Sequence, residues 1–374
     1  MLTDTHHQIA LTLVPGVGSI LVRQLISYCG SAEEVFRSPL ARLIKIPGIG
    51  EVTARAILKP SALTAAEQVI SRLEKLGASA LFYTDNAYPA RLKTLYDAPA
   101  LLYFQGSGTL NASRAIGLVG TRQATDYGRR ITADIIEAVL PYGAAIISGL
   151  AYGIDIAAHR ASLANGLPTI GVMASGLDII YPNVHQKTAS EMLMAGGLLT
   201  ESPPGTKPDA HLFPARNRII AGLSDAVVVV EAAAKGGALI TAEYANNYHR
   251  EVFAVPGQLS QTFSAGCNKL IRENKAQIYT SPNDIIEALN WDQPGSQTEK
   301  KALAKQEPLA LPIDITDEES QIISLLRQST DLHIDDLSWQ SQIPMGRLAS
   351  LLLNLEFRGF VRSLRGKKYA VVYG

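Results

Sequence analysis

Arg216 and Arg218 flank Asn217 in the stretch HLFPARNRIIAGLSDAVVVVEA, a few residues ahead of one of the most apolar runs in the chain. A guanidinium is a planar fork of donors that fits carboxylate and phosphate alike. The two arginines therefore suit an ion pair, a small phosphorylated substrate or a polyanion. Phe213, beside them, suits stacking on a nucleobase; a buried staple for the following helix is its competing role. Asp155 and His159 stand four residues apart in GIDIAAHRA and share a helix face, a spacing open to an acid–base pair or two metal ligands. No third ligand has matching spacing, so the pair reads as a polar contact anchoring a helix start. His6, His7, His185, His211, His249 and His333 are scattered and form no ligand cluster, and no metal is expected. Ser148 and Ser175 lie in glycine turns, where hydroxyls commonly cap helices.

The scaffold that must position these residues is written in the apolar runs. RAIGLVG, AAIISG, PTIGVMAS, GGLLTES, DAVVVVEA and EVFAVPG read as strands, with helical patterns over Tyr127–Leu140, near Asp155–Asn165 and over LITAEYANNYH. Continuous apolar strands alternating with helices predict an α/β core, a parallel sheet covered on both faces. VGTRQATDYG, SGLAYGID, ASGLDIIYP, ESPPGTKP and KGGALITAE each follow a predicted strand. Open parallel sheets bind ligands outside their C-terminal strand ends, where helix N-termini offer free N–H groups to anions and glycine lets backbone come close. Arg122 falls in the first of these loops, and Arg216 and Arg218 are expected to begin the helix leading into DAVVVVEA. Any one of the three fits an ion pair with Glu201, Asp178 or Glu231 as well as it fits phosphate. Three arginines and several glycine loops on one edge favour phosphate. The loops match neither G-x-G-x-x-G nor the P-loop, which argues against dinucleotide or ATP chemistry, and no cofactor is expected.

The chain has 374 residues, 47% apolar and 18% charged, too long for one ordinary core. Its 34 basic and 34 acidic side chains cancel, which excludes a wholesale electrostatic grip on nucleic acid and leaves room for a local basic patch. No apolar run suggests a membrane span, the N-terminus lacks a secretory pattern, and Cys29 and Cys267 stand alone, so a cytoplasmic setting is expected. VPGVG at Val14–Gly18 and IPGIG at Ile46–Gly50 echo one another, each opening a helical pattern. They resemble helix-hairpin-helix turns; with no basic residue inside them, packing of short helices is the favoured role. The expected division is a helical, SAM-like region at 1–65, a connector at 66–112, the core at 113–290, a linker at 291–312 rich in Pro, Gln and Lys, and a winged-helix-like module at 313–374. The last opens with a Thr316–Glu319 capping box.

GGALITAE resembles the G-G-x-G-T-x-x-E element of phosphoribohydrolases, with Glu243 at the catalytic spacing from Gly236 but Leu239 in place of a glycine and Thr241 one place late. A related sheet without that chemistry is the simpler account, and a nucleoside-monophosphate hydrolase using Glu243 is the alternative. More closely, VGTR, SGLAYGIDIAAHRASL, ASGLDIIYP, FPARNRIIAGLSDAVVVVEA, GGALITAEYA and EVFAVPG, in order over roughly Arg114 to Ala276, resemble the bacterial DNA-processing protein A (DprA/Smf) family. The resemblance implies an extended Rossmann-like core that binds and protects single-stranded DNA, loads the RecA recombinase onto it in natural transformation, and acts as a homodimer without a catalytic step. It places DNA contacts at Gly120, Thr121, Arg122, Phe213, Arg216, Asn217, Arg218, Gly236, Gly237 and Thr241. Some relatives have a lysine where this chain has Ala210, with Lys207 a nearby substitute, and a basic residue where it has Asn183; RENKA replaces a glycine-containing helix ending. A third reading gives DNA binding to the C-terminal module through Arg347, Arg362, Arg365, Lys367 and Lys368.

Overall fold

A computed structural model describes residues 3–291, 316–327, 332–358, 360–364 and 368–371. The chain divides into two units, Met1–Pro294 and Gly295–Gly374. The expected linker from 292 onward, and with it Arg365 and Lys367, lies outside the described residues.

The first unit begins with six helices: α1 (Asp4–Leu13), α2 (Ser19–Cys29), α3 (Ala32–Arg37), α4 (Leu40–Leu43), α5 (Glu51–Ile57) and α6 (Ser61–Leu76). The two echoed turns fold alike. Val17 N–H donates to Val14 C=O at 3.1 Å and Ile49 N–H to Ile46 C=O at 3.0 Å, and all four side chains are buried. Apolar residues at fixed places in the turn thus become core, and the helices share one cluster with Leu101, Tyr103 and Leu198 of the sheet. The helical region packs onto the sheet.

The sheet holds β1 (Ser79–Phe82), β2 (Leu101–Gln105), β3 (Ala115–Gly120), β4 (Ala145–Ser148), β5 (Thr169–Val172), β6 (Gly196–Thr200), β7 (Ala226–Glu231), β8 (Glu251–Ala254) and β9 (Gln277–Ile278), in the order β1-β2-β6-β5-β4-β3-β7-β8-β9. The run from β6 to β9 is parallel, and β2 runs antiparallel to both its neighbours. Helix α7 (Ala90–Lys93) lies in the connector; α8 (Asp126–Val139), α9 (Ile154–Ala164), α10 (Gln186–Ala195), α11 (Leu212–Leu223), α12 (Gly237–Asn247), α13 (Ala265–Arg272) and α14 (Pro282–Ala288) follow. Strand β7 shows why its sequence is apolar throughout. Val227 and Val229 join one hydrophobic cluster with α11 and α12, while Val228 and Val230 join another with α8 and α9. With both faces covered, alternation has no reason to appear.

The polar loops expected on one edge are there. From β3 the chain winds outward through β4, β5 and β6, then returns to place β7 on the other side of β3. That reversal is a topological switch point, where the loops after β3 and β7 part and leave a crevice.

The second unit contains α15 (Asp317–Arg327), α16 (Ile334–Ser341) and α17 (Met345–Phe357) with a sheet of order β10-β12-β11, where β10 is Leu332–His333, β11 Val361–Leu364 and β12 Lys368–Val371. The capping box closes reciprocally: Thr316 N–H donates to Glu319 Oε2 at 3.0 Å and Glu319 N–H to Thr316 Oγ1 at 3.3 Å. Three helices and a hairpin sheet around Leu337, Leu348, Leu352 and Leu355 make a winged-helix module.

Candidate nucleic-acid interface

A cleft of about 280 Å³ opens at the switch point, lined by Gly120, Thr121 and Arg122 after β3, by Phe213, Arg216 and Asn217 of α11, and by Lys235, Gly236, Gly237 and Thr241 at the start of α12. Arg122 is carried on a loop locked from below. Glycine is required at Gly153, whose φ is +78° and where a Cβ would lie 2.1 Å from Thr121 C=O, and at Gly120, where it would lie 2.4 Å from Ile154 Cγ1. Thr121 N–H donates to Glu231 C=O at 2.7 Å, tying the loop to β7. The Arg122 side chain is exposed and pairs with no carboxylate among the described residues; its guanidinium carbon lies 5.3 Å from the centre of the Phe213 ring.

Gly236 and Gly237 are a different case. A Cβ at Gly236 would meet nothing within 4 Å, and one at Gly237 only Asn217 Nδ2 at 3.6 Å. Neither has the positive φ that favours glycine, so the protein's own packing does not demand them. They leave open space beside the N-terminus of α12, an 11-residue helix whose positive dipole end faces the cleft.

The arginines of the FPARNR element part company. Helix α11 starts at Leu212, so Arg216 and Arg218 lie inside its first turns and not at its beginning. Arg216 is 5% exposed and donates through Nη1 to Gly149 C=O at 2.5 Å and to Val172 C=O, joining the ends of β4 and β5. Its Nη1 and Asp155 Oδ2 both lie 2.5 Å from where a Gly149 Cβ would stand. Burial pushes the Arg216 guanidinium down to about 10, with Asp155 pulling it back up. Burial likewise raises the Asp155 carboxyl, which Arg216 opposes. Arg218 does not line the cleft: it pairs with Glu201 and donates to Asp97 C=O, tying α11 to the end of β6 and to the connector. Of the three carboxylates weighed for it, Glu201 is the partner. Asn217 sits between them, donating from Nδ2 to Gly237 C=O at 3.1 Å and so holding the glycine turn. Thr241, 1% exposed, donates to the same carbonyl at 3.2 Å.

Lys207 is exposed on the loop after β6, next to Pro208, which lines the smaller cavity adjoining the cleft through Arg122 and Phe213. Lys235 is exposed, lines the cleft and, like Arg122 and Lys207, has no carboxylate partner among the described residues. Sequence reading passed over it as a contact; its signal is a cation immediately before a glycine pair that opens a helix.

Glu243 is exposed on α12 and does not line the cleft, so the hydrolase alternative has no carboxylate there except buried Asp155. His159 is fully buried, its Nδ1 bonded to Thr169 Oγ1 at 2.7 Å, and burial holds it down at about 3. It anchors α9 against β5. Ser148 and Ser175 donate to Leu118 C=O and Ile179 C=O and cap no helix. Among the described residues no cluster of His, Cys, Asp or Glu could hold a metal ion, and no helix is long and apolar enough to cross a membrane. In the second unit Arg347 pairs with Glu318 at 2.9 Å, and the exposed part of α17 carries Leu353 and Phe357.

Fold and edge together define a class: an extended Rossmann-like protein with an anion-receptive cleft at its switch point and a winged-helix module. Within that class the chain belongs to the DNA recombination-mediator protein A family, which residues 79–290 match. Residues 304–367 match the DprA winged helix domain and residues 9–59 a SAM-like helix-hairpin-helix tandem. Protein Smf of Synechocystis is 31% identical over 393 residues, spanning 98% of each chain. The DNA processing protein DprA of Bacillus subtilis is 42% identical over 223 residues, 59% of this chain and 75% of its own. The X-ray structure of DNA processing protein A from Streptococcus pneumoniae aligns with a TM-score of 0.64 and 32% identity over 76% of this chain and 97% of its own. The protein from Helicobacter pylori, studied for its single-stranded DNA binding mode, aligns with a TM-score of 0.53 and 31% identity over 58% of this chain and 97% of its own.

Proposed function

We propose that this chain binds single-stranded DNA across the C-terminal edge of its sheet and, as a homodimer, delivers the RecA recombinase onto that strand in transformation. The observation that carries the binding is the set of three cations without carboxylate partners among the described residues: Arg122 and Lys235 at the cleft where Gly236 and Gly237 leave room for a backbone, and Lys207 beside the adjoining cavity. Arg122 and Lys235 neutralise phosphates, and the N-terminus of α12 receives another. Gly120 and Thr121 shape the Arg122 loop, while Arg216, Asn217, Arg218 and Thr241 hold the cleft walls in place. The recombinase and dimer parts rest on membership of a recombination-mediator family.

Anisotropy of a labelled single strand, titrated over a range of salt and competed with duplex, tests the reading. Each neutralised phosphate of a single strand contributes about 0.7 to the slope of log affinity on log salt, so three cations predict a slope near −2. Equal affinity for duplex, or no salt dependence, sinks it. Adding RecA to the same complex, expected to start filaments sooner than on bare strand, tests delivery.

Gly236→Val separates packing from binding. The side chain enters empty space from extended backbone, so melting is expected within about 2 °C of the parent, because nothing in the fold is displaced. Affinity for the strand is expected to fall at least roughly tenfold, since the valine occupies the space of the bound backbone. A variant that melts and binds like the parent removes the glycine pair from the interface.

A further inference from the structure

We propose that Tyr152 and Tyr181 form a base-stacking subsite beside the cleft, taking two successive nucleobases of a strand whose phosphate is held by Arg122; the inference rests on the single-strand reading above. The two tyrosines come from different loops, after β4 and after β5, and line one cavity together with Arg122, Pro208 and Phe213. They are 48% and 47% exposed, which leaves ring surface open to the cavity. Each is held against one neighbour: Tyr152 lies 5.1 Å from the His185 ring at 68°, and Tyr181 lies 6.0 Å from the Phe213 ring at 62°. Neither hydroxyl finds a hydrogen-bond partner among the described residues, so these rings are not placed for the sake of their polar tips.

Phe213 itself is already engaged. The guanidinium carbons of Arg122 and Arg216 approach its ring at 5.3 and 6.0 Å, so it serves first to hold Arg122 over the cleft. Aromatic surface free to receive a base is therefore on the tyrosines. Their placement suits a strand. β3, β4 and β5 are neighbours in the sheet, so the loops carrying Arg122, Tyr152 and Tyr181 follow one another along its C-terminal edge and meet at one cavity. Stacking accepts any base, since every base has a π face, and it combines with neighbouring cations in proteins that hold single strands without reading sequence.

The test compares oligothymidylate with an abasic strand of the same length, using the full chain. Tyr152→Ala and Tyr181→Ala are each expected to weaken binding of oligothymidylate about tenfold and that of the abasic strand less than about twofold; Tyr→Phe at either position leaves both unchanged. Thermal melting of the same variants is expected to match the parent, because both side chains are half exposed. Equal losses on the two strands, or an unchanged affinity for oligothymidylate, overturn the subsite and leave the cleft standing. A parent chain that binds neither strand, or an Arg122→Ala change without effect on either, removes the cleft reading and the subsite with it.

Discussion

Arg216→Met is expected to destabilise the first unit by roughly 2–5 kcal/mol, lowering Tm by about 5–15 °C. The magnitude follows from what the guanidinium does. It fills the donor needs of Gly149 C=O and Val172 C=O at the ends of two adjacent buried strands, and it is the cation facing the Asp155 carboxyl. Methionine matches the length of the stem and supplies none of these donors. Two acceptors and one carboxyl are then left buried in the cleft wall, and each such group costs about 1–3 kcal/mol. Binding of a single strand falls too, but through disorder of the loops after β4 and β5. Denaturant melts read alongside anisotropy make the distinction. If Tm holds while affinity collapses, Arg216 touches the ligand directly and its placement as a wall of the cleft is wrong.

Arg122→Ala is expected to behave in the opposite way. Its side chain is exposed and supports no strand or helix, so Tm is expected to stay within about 2 °C of the parent. Affinity for single strands is expected to fall roughly ten- to hundredfold, the worth of a charge-assisted bond to phosphate, about 1.5–3 kcal/mol. The loss applies to every sequence, because a phosphate contact carries no base information. The salt slope is expected to shrink by about 0.7, the contribution of one neutralised phosphate. A weaker but equally salt-dependent complex would show that Arg122 acts only through the Phe213 ring. Together the two arginines are expected to form a contrast within one site: one moving stability, the other moving binding and its salt dependence.

Six of the seven strands of the parallel run, β3 to β8, were legible because burial on both faces leaves few polar positions in them, as the unbroken Ala226–Val230 run shows. Strand β1 was not, since Ser79 is exposed, Ala80 and Leu81 are half-buried and only Phe82 is buried, a pattern too short to carry a period. Helix α10 was missed for a related reason: QKTASEMLMA buries only Thr188, Ala189 and Met192, so its apolar face is narrow and partly polar. The glycine-rich loops were placed on the correct edge by order alone, because a loop that follows a parallel strand can only emerge at its C-terminal end.

The fate of the FPARNR arginines shows where local reading stops. Two positions along a helix turn a side chain by about 200°. Arg216 and Arg218 therefore had to face different neighbours, and the sequence determines that much. Which neighbours they meet depends on residues far along the chain: Gly149, Asp155 and Val172 for one, Asp97 and Glu201 for the other. An arginine becomes a strut when a carboxylate or a buried carbonyl lies within its reach, and a ligand contact when none does. Arg122, Lys207 and Lys235 fall in the second group on the proposed reading, because no carboxylate among the described residues pairs with them: Asp155 is taken by Arg216 and Asp209 by His211. Residue types and strand order were determined by the sequence itself. The division of its cations into struts and contacts was decided only when the folded sheet set the distances, because the reach of a side chain is a few ångströms and the separation of its partners along the chain is tens of residues.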